Sequence, residues 1–424
     1  MDTIEYRNDP EFARGMDAAD RLACYRDRFH FPTPQNGNEL IYFTGNSLGL
    51  MPKTARGYVD EELEDWAQLG VAAHMTARHP WLPYHEFLTE QMARIIGARQ
   101  IETVVMNSLT VNLHLMMVSF FRPTNERFKV VIEKGAFPSD QYAIESQIHC
   151  HGRDPRETLV ELAPREGEST LRTEDIVETI ERGGEQVAMV LLGGVNYYTG
   201  QAFDMKTITQ ASHRVGAKVG FDLAHAAGNL ELKMHDWDVD FAVWCSYKYL
   251  NGGPGAVAGA FVHERHAESF DLCRLAGWWG HDKASRFQMG PEFKPIPGAE
   301  GWQISNPPIL QMAALRASLE IFDEIGMLAL CQKSERLTGY LEFLINAIGD
   351  ERIAIITPAD PSQRGCQLSI KVKDNDKSVY DRLVSRGVSA DWREPGVIRV
   401  APAPLYNSFA DVFRFAEILK ECLK

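Results

Sequence analysis

The chain has 424 residues, 45% of them apolar and 24% charged, which describes an ordinary globular protein long enough for two or three folded units. Its 58 Asp and Glu outweigh 44 Lys and Arg, and the formal charge of −14 argues against nucleic acid or an anionic membrane surface as partner. No apolar run approaches the roughly 20 residues of a membrane span, and the acidic start MDTIEYRNDPEF fits neither a secretory nor a mitochondrial leader, so a cytoplasmic location is expected.

In chain order, TARGYVDEELEDWAQLG (Thr54 to Gly70) reads as an acidic helix and FLTEQMARIIG (Phe87 to Gly97) as a helix stopped by glycine. LTVNLHLMMVSFF (Leu109 to Phe121) is helical and apolar on most faces, hence buried. FKVVIE (Phe128 to Glu133) reads as a strand, DQYAIESQIHCHG as a helix, TLVELA as a strand, and RTEDIVETIERGG as a helix with acid early and arginine late. VAMVLLGGV (strand), DMKTITQASHRVG (helix), KVGFDLA, DFAVWCSY and AVAGAFVH (strands) follow. Strands apolar on both faces and separated by helices predict a mostly parallel sheet covered on two sides, an α/β domain over residues 67–318. After the long helix PILQMAALRASLEIFDEIG, the stretches CQLSIKV, KSVYDRLVSRG, VIRVAPA and SFADVFRFAEILKECL read strand, helix, strand, helix, a smaller α+β domain over residues 319–424. Residues 1–66 are assigned to an N-terminal segment that packs with the small domain.

Seven cysteines (24, 150, 245, 273, 331, 366, 422) without a CxxC pair fit reduced thiols rather than a disulfide framework. HCHG (His149 to Gly152) lacks a second ligand cluster and HDWDVD (His235 to Asp240) lacks the calcium-loop spacing, so no metal is expected. NGGPG is an ordinary turn motif, and LLGGVNYYTG is not a dinucleotide fingerprint.

The chemistry concentrates around VWCSYKYLNGGPGAVAG (Val243 to Gly259), where Lys248 follows an apolar strand, at the sheet edge where open α/β folds bind ligands. In VGFDLAHAAG, Asp222 ends another apolar strand 26 residues earlier, with His225 three residues on. That separation allows a short connection and one return strand, so that both side chains face one crevice. A buried acid is costly unless it meets a cation. Pyridoxal 5′-phosphate asks for both groups: a lysine amine for its aldehyde and a carboxylate to keep its ring nitrogen protonated. His225 would stack on the ring, MNSLTVNLH offers Ser108 and Thr110 at a helix start for the phosphate, and FPSDQY (Phe137 to Tyr142) supplies an aromatic and an acid. Taken singly, each has an ordinary explanation: a solvated lysine, a helix-capping Asp, a core histidine, a capped helix. Their order on successive strand ends favours the cofactor.

The stretches FTGNSLGL, NSLTVNLHL, AFPSDQYAIESQ, GFDLAHAAGN, CSYKYLNGGPG, GWWGH, ISNPPIL and RVAPAPLYNSF closely resemble the kynureninase family of fold type I, aspartate-aminotransferase-like pyridoxal phosphate enzymes, from about Tyr42 to Phe415. The resemblance implies a large domain with a mostly parallel seven-stranded sheet and a smaller C-terminal α+β domain. It implies hydrolysis of L-kynurenine, 3-hydroxy-L-kynurenine or both, to anthranilate or its hydroxylated counterpart and L-alanine, in tryptophan catabolism leading to NAD. Lys248 resembles the Schiff-base lysine, Asp222 the pyridinium partner, and His225 its neighbour in the cofactor cradle. Leu109 and Thr110 resemble the phosphate segment, Phe137 the stacking ring with Asp140 beside it, and Tyr247 the phosphate-linked, proton-transferring tyrosine. Trp278 and Asn306 match positions that complete the site from a neighbouring subunit, implying a homodimer, and Arg399 matches the arginine that grips the substrate carboxylate. Asn46 and Ser47, within FTGNSLGL, and His74 are assigned to the substrate site, the pairing of His74 with Asn306 resembling animal-type enzymes that favour the hydroxylated substrate. The sequence departs from the pattern at Gly193, where animal members carry serine, so that one cofactor hydrogen bond is lost or taken over by backbone. It departs again at Trp279, where phenylalanine is expected. The rival of the same fold is a cysteine desulfurase or selenocysteine lyase, with Cys366 as its nucleophile; a non-catalytic relative is the rival of another class.

Overall fold

The computed structural model describes residues 4–33 and 40–424. Its seven-stranded sheet is built from β1 (Thr103–Val105), β2 (Lys129–Glu133), β3 (Leu159–Leu162), β4 (Val187–Gly193), β5 (Lys218–Asp222), β6 (Phe241–Trp244) and β7 (Gly259–Val262). Across the sheet the order is β1-β7-β6-β5-β4-β2-β3. Neighbours from β3 to β6 are parallel, whereas β7 runs antiparallel to both β6 and β1. The mostly parallel sheet expected from sequence is present, with β1 added, a strand too short to show a pattern.

Alternation along these strands feeds two cores. Val131, Val190, Val219, Phe221, Trp244 and Phe261 face one side, packed beneath helices α3 (Glu86–Ile96), α6 (Thr173–Gly183), α7 (Met205–Arg214) and α8 (Ile309–Ile325). Val130, Ile132, Met189, Phe241, Val243 and Ala260 face the other, under α4 (Leu109–Phe120) and α5 (Pro138–Cys150). Each fully buried side chain of this size contributes about 1.5–3 kcal/mol. Gly220 is required between the strands, because a Cβ there would collide with the Phe241 ring.

The smaller core gathers α9 (Met327–Ile348), α10 (Ser378–Ser385) and α11 (Phe409–Cys422) on a four-stranded antiparallel sheet. That sheet has the order β8 (Ile353–Ile355), β9 (Leu368–Val372), β11 (Val397–Val400), β10 (Asp391–Arg393). The Ser408 hydroxyl accepts from the Asp411 N–H and the Asp411 carboxylate accepts from the Ser408 N–H, a cap that starts α11. Sequence reading stopped at Gly326 and missed α9; that glycine, at φ 78°, breaks the chain between two helices instead of ending the helical region. Helix α8 runs through residue 318 without a break and packs on α2 (Ala55–Leu69). Ala13, Ile41 and Phe43 join the smaller core, while Phe29 and Leu50 join the larger one. Among the described residues no helix is long and apolar enough to cross a membrane.

Two opposite sheet edges follow from the parallel pairing. At the entry edge Asp240, fully buried before β6, accepts from the Val219 N–H (2.9 Å), His266 Nε2 (2.8 Å) and Lys218 Nζ (3.2 Å), lies 3.0 Å from His213 Nε2, and pairs with Arg265 at 2.8 Å. Burial raises its carboxyl, but His213, His266, Lys218 and Arg265 together hold it far below the usual carboxylate range. Asp240→Asn should therefore cost on the order of 3 kcal/mol, because its cationic neighbours lose their counter-charge. Urea denaturation checks this, and an unchanged midpoint would contradict it.

Candidate active site

At the exit edge β2, β4 and β5 end in Glu133, Gly193 and Asp222, and the chain leaving β6 reaches Lys248 four residues later. The crossover from β5 to β6 consists of turns and the second strand runs parallel, not as a return strand, which still brings the two side chains to one crevice. A cavity of about 140 Å³ lies there, lined among others by Thr110, Phe137, Asp140, Asp222, His225 and Lys248.

Lys248 is fixed at its backbone. Its carbonyl accepts from the Asn251 N–H (3.0 Å), the Gly252 N–H donates to the Ser246 carbonyl (2.8 Å), and the Gly49 N–H to the Tyr247 carbonyl (2.8 Å). Gly49 has to lack a side chain, since a Cβ would strike the Lys248 carbonyl and Asn251. The ammonium lies 2.9 Å from His225 Nε2 and 5.8 Å from the Phe137 ring centre. Burial, then the charge of Lys248, pushes His225 well below the ordinary histidine range, so the imidazole is neutral and Nε2 is the acceptor. Its proton then sits on Nδ1, a buried atom without a hydrogen-bond partner.

Three buried carboxyls face this one amine. Asp222 accepts from the Ala224 N–H at 2.7 Å; burial raises it, and the Ala224 N–H, Lys248 and a hydrogen bond from Asp140 pull it back. Asp140, in the first turn of α5, is raised well above the usual carboxyl range by burial and by the Asp222 charge, so this pair resists carrying two negative charges. Glu133 is pushed up to about 7 by burial, against hydrogen bonds from Asn196 and Gly193 and with the Asp222 charge. Asp140 Oδ1 is a further buried atom without a partner.

Leu109 and Thr110 open α4, whose first-turn amides suit an anion; Thr110 Oγ1 lies 2.9 Å from Ser139 Oγ. Tyr247 lines the cavity, its phenol raised by burial. The amide of Gly193 donates to Glu133 Oε1 at 2.8 Å, so this backbone group is committed to the protein rather than to a ligand. Sequence reading missed Glu133, Ser139, Asn196 and Tyr197. Glu133 carried the signal used for Asp222, an acid ending an apolar strand; the others are placed by tertiary contacts.

Arg399, on β11, reaches the same region from the smaller core. Its Nη1 donates to the Tyr197 carbonyl (2.7 Å), Nη2 to Ser47 Oγ (3.3 Å) and to Asp391, and the buried Nε has no partner. Asn46 Nδ2 donates to Gln367 Oε1 at 2.9 Å, leaving the buried Asn46 Oδ1 unpaired. The structure thus joins Arg399, Ser47 and Asn46. His74, Trp278 and Asn306 do not line the Lys248 cavity: His74 Nδ1 lies 3.1 Å from the Val71 carbonyl, Trp278 donates to the Arg286 carbonyl, and Asn306 is exposed. Trp279 is buried beneath the Arg286 guanidinium, 4.5 Å away.

The expected cofactor fits these residues. The buried His225 Nδ1 and Asp140 Oδ1 lack partners in a cavity lined by an aromatic and by three carboxyls, and a group with a cationic ring nitrogen would offset the excess of acid.

A family model for the kynureninase C-terminal domain matches residues 330–419. The chain is 61% identical to a kynureninase of Myxococcus xanthus, over 98% of this chain and 97% of that protein. It is also 61% identical to a kynureninase of Koribacter versatilis (96% of each) and 52% identical to one of Nematostella vectensis (98% and 94%). Among solved structures, a cysteine desulfurase from Thermococcus onnurineus NA1 shares the fold with a TM-score of 0.74 at 17% identity, covering 93% of this chain and 98% of that one. The desulfurase CsdA from Escherichia coli does so at 0.76 and 16%, covering 95% and 98%.

Glu133 yields a pH test. Between its ordinary value of 4.5 and about 7, the folded cofactor-free protein holds a proton that the unfolded chain has released, so stability falls as pH rises through this window. Glu133→Gln should flatten that fall in urea midpoints taken across the range, and parallel slopes in the two proteins would refute the assignment.

Proposed function

The chain belongs to the kynureninase family, and from that premise we propose that it hydrolyses L-kynurenine, or its 3-hydroxy derivative, to anthranilate, or 3-hydroxyanthranilate, and L-alanine, with pyridoxal 5′-phosphate held at Lys248. The observation that carries this is one amine, 2.9 Å from a neutral imidazole, facing a buried acid pair beside an arginine with a free buried donor. The reaction adds water across a carbon–carbon bond: the acyl carbon takes the hydroxyl and the departing β-carbon takes a proton.

Each residue has a task in that reaction. Arg399 Nε is the donor left for the substrate carboxylate, with Ser47 and Asn46 beside it. When bound, the cofactor supplies an aldehyde that joins the substrate amine and a protonated ring that spreads the charge left at the α-carbon. Asp222, paired with Asp140 and facing Lys248, would serve as the carboxylate partner that keeps the ring nitrogen protonated. Lys248 Nζ would hold the cofactor's aldehyde and, when free, would take the α-proton, with His225 Nε2 placed to accept a hydrogen bond from it. The raised Tyr247 phenol stays protonated at neutral pH and relays a proton to the alanine carbon. Leu109 and Thr110, at the helix start, would hold the phosphate.

The desulfurase reading is weaker. Cys366 is fully buried with Tyr249 and Ala401, its thiol pushed up to about 12 by burial, where a mobile nucleophile would be accessible and acidic. Sulfide release from cysteine is the discriminating assay.

The working unit in this reading is a homodimer in the cytoplasm, serving tryptophan catabolism and through it NAD formation. Val71 (85% exposed), Met75, Phe287 and Met289 are exposed apolar side chains, as is Trp278, a position expected to serve a neighbouring site. Mixing Lys248→Ala with Asn306→Ala subunits should restore turnover that neither variant has alone; a mixture as inactive as its parts would remove the shared site.

Lys248→Ala should abolish both the visible absorbance of the bound cofactor and anthranilate release followed by fluorescence. Asp222→Ala should lower turnover by about 10²-fold or more with the fold intact. A coloured Lys248→Ala protein, or an Asp222→Ala protein near wild-type turnover, would overturn these roles.

A further inference from the structure

A continuous set of hydrogen bonds links the acid floor of the cavity to the arginine of the smaller core. Glu133 Oε2 accepts from Asn196 Nδ2 at 2.6 Å and Oε1 from the Gly193 amide. Asn196 organises the turn after β4: its Oδ1 accepts from the N–H groups of Tyr198 (3.0 Å) and Thr199 (2.9 Å), and its carbonyl from the Gly200 N–H (2.9 Å). So folded, the turn presents three successive carbonyls to the smaller domain. Tyr197 accepts from Arg399 Nη1 (2.7 Å) and Gln367 Nε2 (3.1 Å), Tyr198 from Ser369 Oγ (2.6 Å), and Thr199 from Thr357 Oγ1 (2.5 Å). Gln367 in turn receives Asn46.

We propose that Glu133 is a positioning residue for substrate-carboxylate recognition: by holding Asn196 it fixes the turn whose Tyr197 carbonyl orients the Arg399 guanidinium and leaves Nε for the substrate. This rests on the reading of Arg399 as the carboxylate-binding group. An arginine fork discriminates by geometry, and a displacement of its anchor by a fraction of an ångström misaligns the donor. Glu133 suits the task because it is buried, both of its oxygens are engaged, and its own strand is paired on both sides.

The test measures binding of L-alanine to the holoenzyme, read from the absorbance of the bound cofactor, and binding of ethylamine, which lacks the carboxylate. Glu133→Ala and Asn196→Ala should each weaken L-alanine on the order of tenfold and leave ethylamine unchanged. Added to Arg399→Lys, Glu133→Ala should contribute less than about twofold more, since both act on one contact. Equal losses for both ligands, full additivity with Arg399→Lys, or loss of the cofactor instead of alanine would each overturn the proposal. Should Glu133→Ala fail to fold, Glu133→Gln, which keeps one acceptor, should show an intermediate loss with the same ligand selectivity, and a loss without selectivity would overturn it. If Arg399→Lys itself leaves L-alanine binding unchanged, the carboxylate role of Arg399 falls first, and the proposal with it.

Discussion

Negative charge buried at both ends of the strands of a mostly parallel sheet is the constraint on which this molecule depends. Withdrawing a carboxylate from water costs several kcal/mol unless a cation and hydrogen bonds replace the lost hydration. The protein meets that cost in two different ways. Asp240, at the entry edge, is surrounded by two histidines, a lysine and an arginine and is fully satisfied. Glu133, Asp140 and Asp222, at the exit edge, face a single ammonium and keep unpaired buried atoms nearby. Complete satisfaction marks the structural acid, and incomplete satisfaction marks the site waiting for a charged ring.

The same arithmetic assigns protons. Because His225 is neutral, Lys248 keeps its acceptor without a second positive charge beside it; because Asp140 and Asp222 are buried against each other, the pair resists carrying two negative charges.

Much of this was legible in the residues. Helices and strands of the large domain appear where their apolar periods put them, and Lys248, Asp222, His225, Phe137 and Asp140 converge because parallel strands end together. Glu133 was overlooked although FKVVIE ends in acid like VGFD, since no chemical task had been assigned to a third carboxyl. Asn196 and Tyr197 gave no signal, as their role exists only once the smaller domain docks on their turn. Helix α9 was lost at Gly326, a residue that reads equally as an end or a break. The parts assigned to His74, Trp278 and Asn306 come from family resemblance alone, and a single chain does not bring them to the cavity.

The pinned backbone around Lys248 has a kinetic meaning. With the carbonyls of Ser246, Tyr247 and Lys248 all tied down, the amine swings on a stationary pivot, and its whole stroke is made by rotation about side-chain bonds. Such rotations take picoseconds to nanoseconds. In the role proposed for Lys248, a change of posts between anchor and base would therefore consume almost none of a catalytic cycle.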